Sequence, residues 1–196
     1  MCRKEVKVIE GMKSIRLNGD AVRLVLEGEK TQVRIALKKQ DILGGTMTAA
    51  GLLAGMPEHP DFGGEVVKPP YKRGEVVWVK ETWARSPDGS GFLYASNLTA
   101  RGQKWQPSGR MPAEAARIFI KMISVRVERL QDISAEDIEA EGVWSSGTLF
   151  PRDEFAELYD RSLSRKKRVT CSWSKNPWVW VYSFEICERP QEQRTA

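Results

Sequence analysis

The block GEKTQVR, residues 28–34, joins a glycine to two cationic side chains, Lys30 and Arg34. From Lys30 onward polar and apolar residues alternate, which predicts a strand with both cations on one face. An arginine can grip a phosphate through parallel N–H groups, whereas a lysine acts as a point charge. The block therefore indicates either a solvated strand face or the floor of a site for an anionic ligand.

Three further residues are candidates for such a site. Glu81 ends an alternating strand, where it could pair with Lys30 or Arg34 or act as a catalytic carboxylate. Trp83 lies at a strand end and Trp105 in a loop, where an exposed indole can stack on a nucleic-acid base. Both tryptophans could equally belong to a core, because tryptophan is highly buried on average.

Composition excludes several kinds of site. Three scattered cysteines without a C-x-x-C pair and one histidine, His59, indicate neither a zinc site nor a Ser-His-Asp triad. No metal or cofactor is predicted. The net charge of +5 favours a polyanionic partner, and the basic run 165–168 is predicted as a solvated loop that attracts phosphate non-specifically. Without a membrane-spanning run or signal-peptide core, we expect a cytoplasmic protein with no membrane partner.

Helices and strands alternate with long irregular segments. Three helices are predicted from periodicity and capping signals, at 20–27, 133–142 and 151–163. Asp20 is the predicted N-cap of the first helix, and Gly28 its end. Four strands are predicted, at 30–38, 74–84, 117–130 and 176–186, with a possible small hairpin at 91–96. The last strand is apolar on both faces and should be central.

This order of elements predicts an α+β, mainly β fold, a small twisted barrel with short helices packed outside it. One domain is expected over 14–187, after an N-terminal extension at 1–13 and before a polar tail at 188–196. The segments 39–73 and 85–112 are predicted as long loops, which are often functional in a compact domain.

Several segments, in this order and spacing, resemble the ASCH domain family, and most closely its phage and prophage "morphogenetic protein" branch. They are AVRLVLEGEKTQVR, PYKRGEVVWVKETWA, WQPSGRMP, VRVERLQDISAEDIEAEGV, FAELYDRS and SWSKNPWVWVYSFEI. The resemblance implies a PUA-like β-barrel in a bacterial host, with a Lys/Arg-lined cleft for RNA, a nucleotide or another nucleic-acid fragment. The ligand-binding residues expected for this chain are Lys30, Thr31, Arg34, Glu81, Trp83, Trp105 and Glu141.

Enzymes within the same superfamily supply the first alternative. Some members look like hydrolases of acetylated cytidine, and others act as ribonucleases. The hydrolases use a lysine, a threonine three positions later and a glutamate near a helix end, which correspond here to Lys30, Val33 and Glu141. Valine has no hydroxyl for a nucleophile or a proton relay, which weakens the amide-hydrolysis alternative. The second alternative is a phage protein-interaction factor that acts in assembly or against a host defence.

Overall fold

The computed structural model describes residues 9, 11–38, 68–97, 103–144 and 150–191. Seven strands lie in these ranges: β1 (Ser14–Arg16), β2 (Gln32–Ala36), β3 (Val76–Lys80), β4 (Trp83–Arg85), β5 (Phe92–Tyr94), β6 (Phe119–Arg129) and β7 (Trp178–Cys187). Four α-helices lie wholly within them: α1 (Gly19–Leu26), α2 (Ala135–Ala140), α3 (Pro151–Ser162) and α4 (Arg165–Cys171). No helix in the described part of the chain is both long enough and apolar enough to cross a membrane.

Five of the strands form one mixed sheet in the order β1-β3-β6-β7-β2, and β4 pairs with β5 in a second small sheet. β1 runs parallel to β3, whereas the pairs β3–β6 and β2–β7 are antiparallel. The predicted α+β, mainly β fold class is confirmed. The sheet does not close into the predicted barrel, because in the described chain β1 pairs only with β3 and β2 only with β7.

The chain divides into two compact units, each with its own core. Unit 1 comprises Met1–Gly28, Gly74–Met122 and Phe184–Ala196; unit 2 comprises Glu29–Arg73 and Ile123–Ser183. The core of unit 1 includes Trp78, Trp83 and Phe119. The core of unit 2 is built from β7 and the helices, and includes Ile138, Phe155, Tyr159, Val179 and Val181. A single domain over 14–187 stays a prediction.

The predicted central position of the last strand is confirmed. β7 lies between β6 and β2, and its residues 178–182 are all buried. Alternating side chains of a strand point to opposite faces, so burial of consecutive residues means that both faces of β7 are covered. The segment 91–96 forms β5, which pairs with β4 instead of forming a hairpin by itself. Of the predicted loop 39–73, residues 39–67, with His59, lie outside the described residues.

Two local predictions were wrong. The N-cap of α1 is Asn18 and not Asp20: Asn18 has an extended backbone, and its Oδ1 accepts a hydrogen bond from the Ala21 N–H at 2.8 Å. Asp20 lies inside the first turn. The basic run predicted as a loop forms α4 instead, because Ser164 caps it and lysine and arginine are good helix formers. The predicted left-handed glycines are confirmed at Gly28 and Gly142, which both have a φ of 79°.

Replacing Asn18 by alanine should lower the free energy of unfolding by about 1 kcal/mol, because the N–H of Ala21 loses its capping acceptor. Asn18→Ser supplies another capping oxygen and should keep most of the stability. Urea unfolding followed by circular dichroism measures both variants. Equal losses for alanine and serine would contradict the assignment of Asn18 as the cap.

Candidate functional site

The end of α2 and the start of β2 lie side by side in unit 2. The Thr31 N–H donates a hydrogen bond of 2.8 Å to the Ala140 carbonyl in the last turn of α2. Gly142, with its positive φ, then ends the helix directly after Glu141. This backbone contact places Lys30, the residue before Thr31, next to Glu141.

Lys30 and Glu141 form a nearly buried ion pair. Lys30 Nζ contacts Glu141 Oε2 and also donates to the Glu141 main-chain carbonyl at 2.9 Å. The two side chains are 8% and 6% exposed. Two of the three ammonium protons are thus engaged, and among the described residues the third has no acceptor. The structure therefore joins the lysine and the glutamate that the family resemblance implied as a pair.

Arg34 lies beneath this pair with its side chain 1% exposed. Its Nη1 donates to Glu141 Oε1 at 3.0 Å and to Gln32 Oε1 at 3.3 Å. Its Nε and Nη2 donate to Glu128 Oε1 at 3.0 and 2.7 Å, and Nη2 donates to Asp137 Oδ2 at 2.7 Å. A guanidinium has five N–H groups, and all five are engaged. The predicted solvated strand face is not formed, and in this arrangement Arg34 has no donor left for a phosphate.

Arg126 completes the group of charges. Its Nε donates to Glu128 Oε2 at 3.1 Å, and its Nη2 contacts Asp137 Oδ2. We call the six residues the charge cluster; they are Lys30, Arg34, Arg126, Glu128, Asp137 and Glu141. Three cations face three carboxylates, so the cluster carries no net charge. It cannot supply the positive potential that the Lys/Arg block predicted for this place.

Burial alone would lower the pKa of Arg34, but the negative charges of Glu141 and Glu128 and its hydrogen bonds to them raise the pKa above its ordinary value. Arg34 therefore stays a cation and keeps all its donors. The guanidinium also lies 5.8 Å from the ring centroid of Phe155, a core residue of α3. One turn later on α3, Tyr159 is buried, and its hydroxyl has no hydrogen-bond partner in the described structure.

Sequence reasoning missed three members of the charge cluster. Arg126 and Glu128 are two residues apart on β6, so their shared face could have been derived from strand alternation. In the sequence, Asp137 stands only as an acidic residue near the start of the helix predicted at 133–142. Its N–H does donate to Ser134 Oγ, but its carboxylate contacts Arg34, Arg126 and Gln32 rather than the helix end. Nothing in the local sequence of α2 indicates those partners.

The remaining predicted site residues lie in unit 1. Glu81 is 1% exposed and pairs with Arg117, whose Nε donates at 2.8 Å; Ser96 Oγ donates to the same carboxylate at 2.6 Å. Its ion-pair partner is thus neither Lys30 nor Arg34. Trp83 is 8% exposed and packs edge-on against Phe92, with ring centroids 5.6 Å apart. It is therefore a core residue, the second of the two alternatives that the sequence left open. Trp105 is half-buried.

The described part of the chain contains no group of three or more His, Cys, Asp or Glu residues that could bind a metal ion. The carboxylates of the charge cluster instead face cations at short range.

Comparison with known proteins finds distant structural similarity to solved structures. No family model and no curated protein matches the chain. Two solved structures are similar over most of it. Protein EF3133 from Enterococcus faecalis V583, a DUF984 protein, has 12% identity and a TM-score of 0.47, over 95% of this chain and 90% of that chain. An ASCH domain from Lactobacillus crispatus JV V101 has 10% identity and a TM-score of 0.44, over 95% and 86%.

Replacing Arg34 by methionine should lower the free energy of unfolding by about 3–5 kcal/mol, because Glu128, Asp137 and Glu141 would lose the cation that they share. Lys38→Met, an exposed lysine near the end of the same strand, should change stability by less than about 0.5 kcal/mol. Chemical denaturation of both variants measures the difference. A similarly small effect at Arg34 would show that the charge cluster does not stabilise unit 2.

Tyr159→Phe should not destabilise the protein near neutral pH, because the lost hydroxyl is buried without a partner. Burial, together with the charges of Cys171, Asp160 and Glu141, raises the pKa of Tyr159 above the ordinary value of 10.0. Above pH 10 the unfolded chain therefore loses this proton first, binds fewer protons than the folded chain, and folding stability falls as the pH rises.

Because phenylalanine does not titrate, the Tyr159→Phe protein should gain stability relative to wild type as the pH rises above about 10. Urea midpoints of both proteins at neutral and alkaline pH test this. A constant difference between the two proteins across that range would contradict a raised pKa at Tyr159.

Proposed function

We propose that this chain binds a nucleoside-containing ligand, either a nucleotide or a segment of nucleic acid with RNA favoured, at Lys30 and Glu141. The carrying observation is the nearly buried ion pair in which one N–H of Lys30 has no acceptor among the described residues. A nucleobase offers carbonyl oxygens that can accept such a proton and amino groups that can donate to a carboxylate. The resemblance to ASCH domains supports this class of ligand.

The neutrality of the charge cluster decides which part of the ligand is held there. A phosphate would bring negative charge beside three carboxylates, and Arg34 has no free N–H to offset it. Only 8% of the Lys30 side chain is exposed, so a ligand would contact it through one small polar group. We therefore assign a base or modified base to this site, and to Arg34 the positioning of Glu141. Thr31, which is exposed beside Lys30, offers a further polar contact.

A second candidate function, hydrolysis of an acylated nucleoside amide of the N4-acylcytidine type, is favoured by the direct contact between Lys30 and Glu141. Val33 has no hydroxyl, so water must attack the acyl carbon. Glu141 would accept the proton of the water, and Lys30 would protonate the leaving nitrogen as the C–N bond breaks. The contact between the two residues then returns the proton from Glu141 to Lys30.

Lys30→Met should weaken binding of cytidine and of a short single-stranded RNA by about 10- to 100-fold, because a hydrogen bond from a charged group contributes about 1.5–3 kcal/mol. Lys38→Met is the matched control and should bind as wild type does. Titration calorimetry measures both ligands. Equal affinities in the two variants, or no binding of any nucleoside, nucleotide, RNA or DNA by wild type, would overturn the proposal.

Incubation with N4-acetylcytidine, followed by mass spectrometry of the products, distinguishes the hydrolase from the binding function. Release of cytidine and acetate by wild type, lost in Lys30→Met and retained in Lys38→Met, supports the hydrolase. Binding without turnover supports the binding function alone.

A further inference from the structure

Helix α4, residues Arg165–Cys171, is an almost wholly exposed helix. All of its residues from 165 to 170 are exposed, and Val169 is 70% exposed. Cys171 is its buried residue. The helix therefore contributes very little apolar surface to the core of unit 2, and its sequence is not explained by packing.

The four cations of α4 have no carboxylate partners. In the part of the chain that the structure describes, no Asp or Glu lies within 4.0 Å of Arg165, Lys166, Lys167 or Arg168. The contact recorded for their side chains is a 3.5 Å approach of Arg168 Nη2 to the Leu163 carbonyl. In the charge cluster, by contrast, each cation is neutralised by a carboxylate. Other cations of unit 2, such as Lys38, Arg161 and Lys175, also have no carboxylate partner among the described residues, but α4 places four such cations at consecutive positions.

The order of these charges opposes helix stability. Arg165, Lys166 and Lys167 occupy the first turn, which contains no acidic residue, although the helix dipole favours negative charge at that end. Arg165 and Arg168 are three residues apart, at the spacing where like charges repel on a helix surface. A bound polyanion would relieve both effects.

We infer that the cations of α4 bind the phosphate backbone of a single-stranded nucleic acid. This inference rests on the proposed function and assigns the phosphates to α4 and the base to Lys30 and Glu141. Charge complementarity supports it, because four cations without partners match the regular negative charge of a phosphate backbone. A membrane surface fits less well, since α4 has no apolar face beyond the single Val169 to insert between lipids.

The test compares Lys166→Gln/Lys167→Gln with Lys104→Gln/Lys121→Gln, which removes two positive charges at exposed lysines outside α4. Fluorescence anisotropy with a labelled mixed-sequence RNA oligonucleotide, at several KCl concentrations, gives the slope of log K against log salt. Each phosphate contact on a single strand contributes about 0.7 to this slope, so losing two should reduce its magnitude by about 1.4. The control pair should leave it unchanged, and circular dichroism checks the fold of both variants.

Titration with cytidine, which carries no phosphate, separates this inference from the proposed function. Unchanged cytidine binding with a reduced RNA slope in the α4 variant supports the inference. Equal slopes in the two variants overturn it, and the proposed function stands if cytidine still binds. Failure of wild type to bind the RNA at all overturns the inference; the proposed function is also overturned only if wild type binds no nucleoside, nucleotide or DNA either. Binding of phosphatidylserine vesicles that is lost in the α4 variant, without a change in the RNA slope, overturns it in favour of a lipid surface.

Discussion

The guanidinium of Arg34 joins β2 to β6 and α2, where its partners lie 94 to 107 residues further along the chain. Its carboxylate partners are Glu128 on β6, Asp137 on α2 and Glu141 at the end of α2. Charges this deeply buried lose their hydration, and only a complete set of hydrogen bonds compensates for that loss. The need to engage all five N–H groups at once fixes β2, β6 and the end of α2 relative to one another.

The geometry at Lys30 depends on this arrangement. Glu141 uses Oε1 for Arg34 and Oε2 for Lys30, so its carboxylate cannot turn without breaking one of the two contacts. A carboxylate held in this way is already oriented before a ligand arrives, which reduces the ordering that binding requires. The same neutralisation removes free positive charge from the site. In the function proposed here, different residues of unit 2 therefore orient the base and attract the phosphates.

Unit 1 contains a smaller buried ion pair, in which one arginine and one serine engage a carboxylate. Glu81 is buried beneath Arg117, whose guanidinium lies 3.9 Å from the ring centroid of Tyr94. Ser96 supplies a further hydrogen bond to the carboxylate. A carboxylate directly after an apolar strand is the pattern that made Glu81 a candidate site residue. An ion pair with Lys30 or Arg34 was one of two alternatives for Glu81, beside a catalytic carboxylate; its actual partner, Arg117, is 36 residues away in sequence and was not identified.

Local physical chemistry was enough for most elements, because strand alternation, helix periodicity and left-handed glycines act within a few residues; β6, β7, α2 and Gly28 follow from the sequence alone. The resemblance also identified Lys30 and Glu141 as a pair. The sequence could not decide that Arg34 is buried, since a basic residue on an alternating strand looks the same whether water or carboxylates surround it. That outcome depends on partners 94 to 107 residues away, which only the tertiary structure brings together.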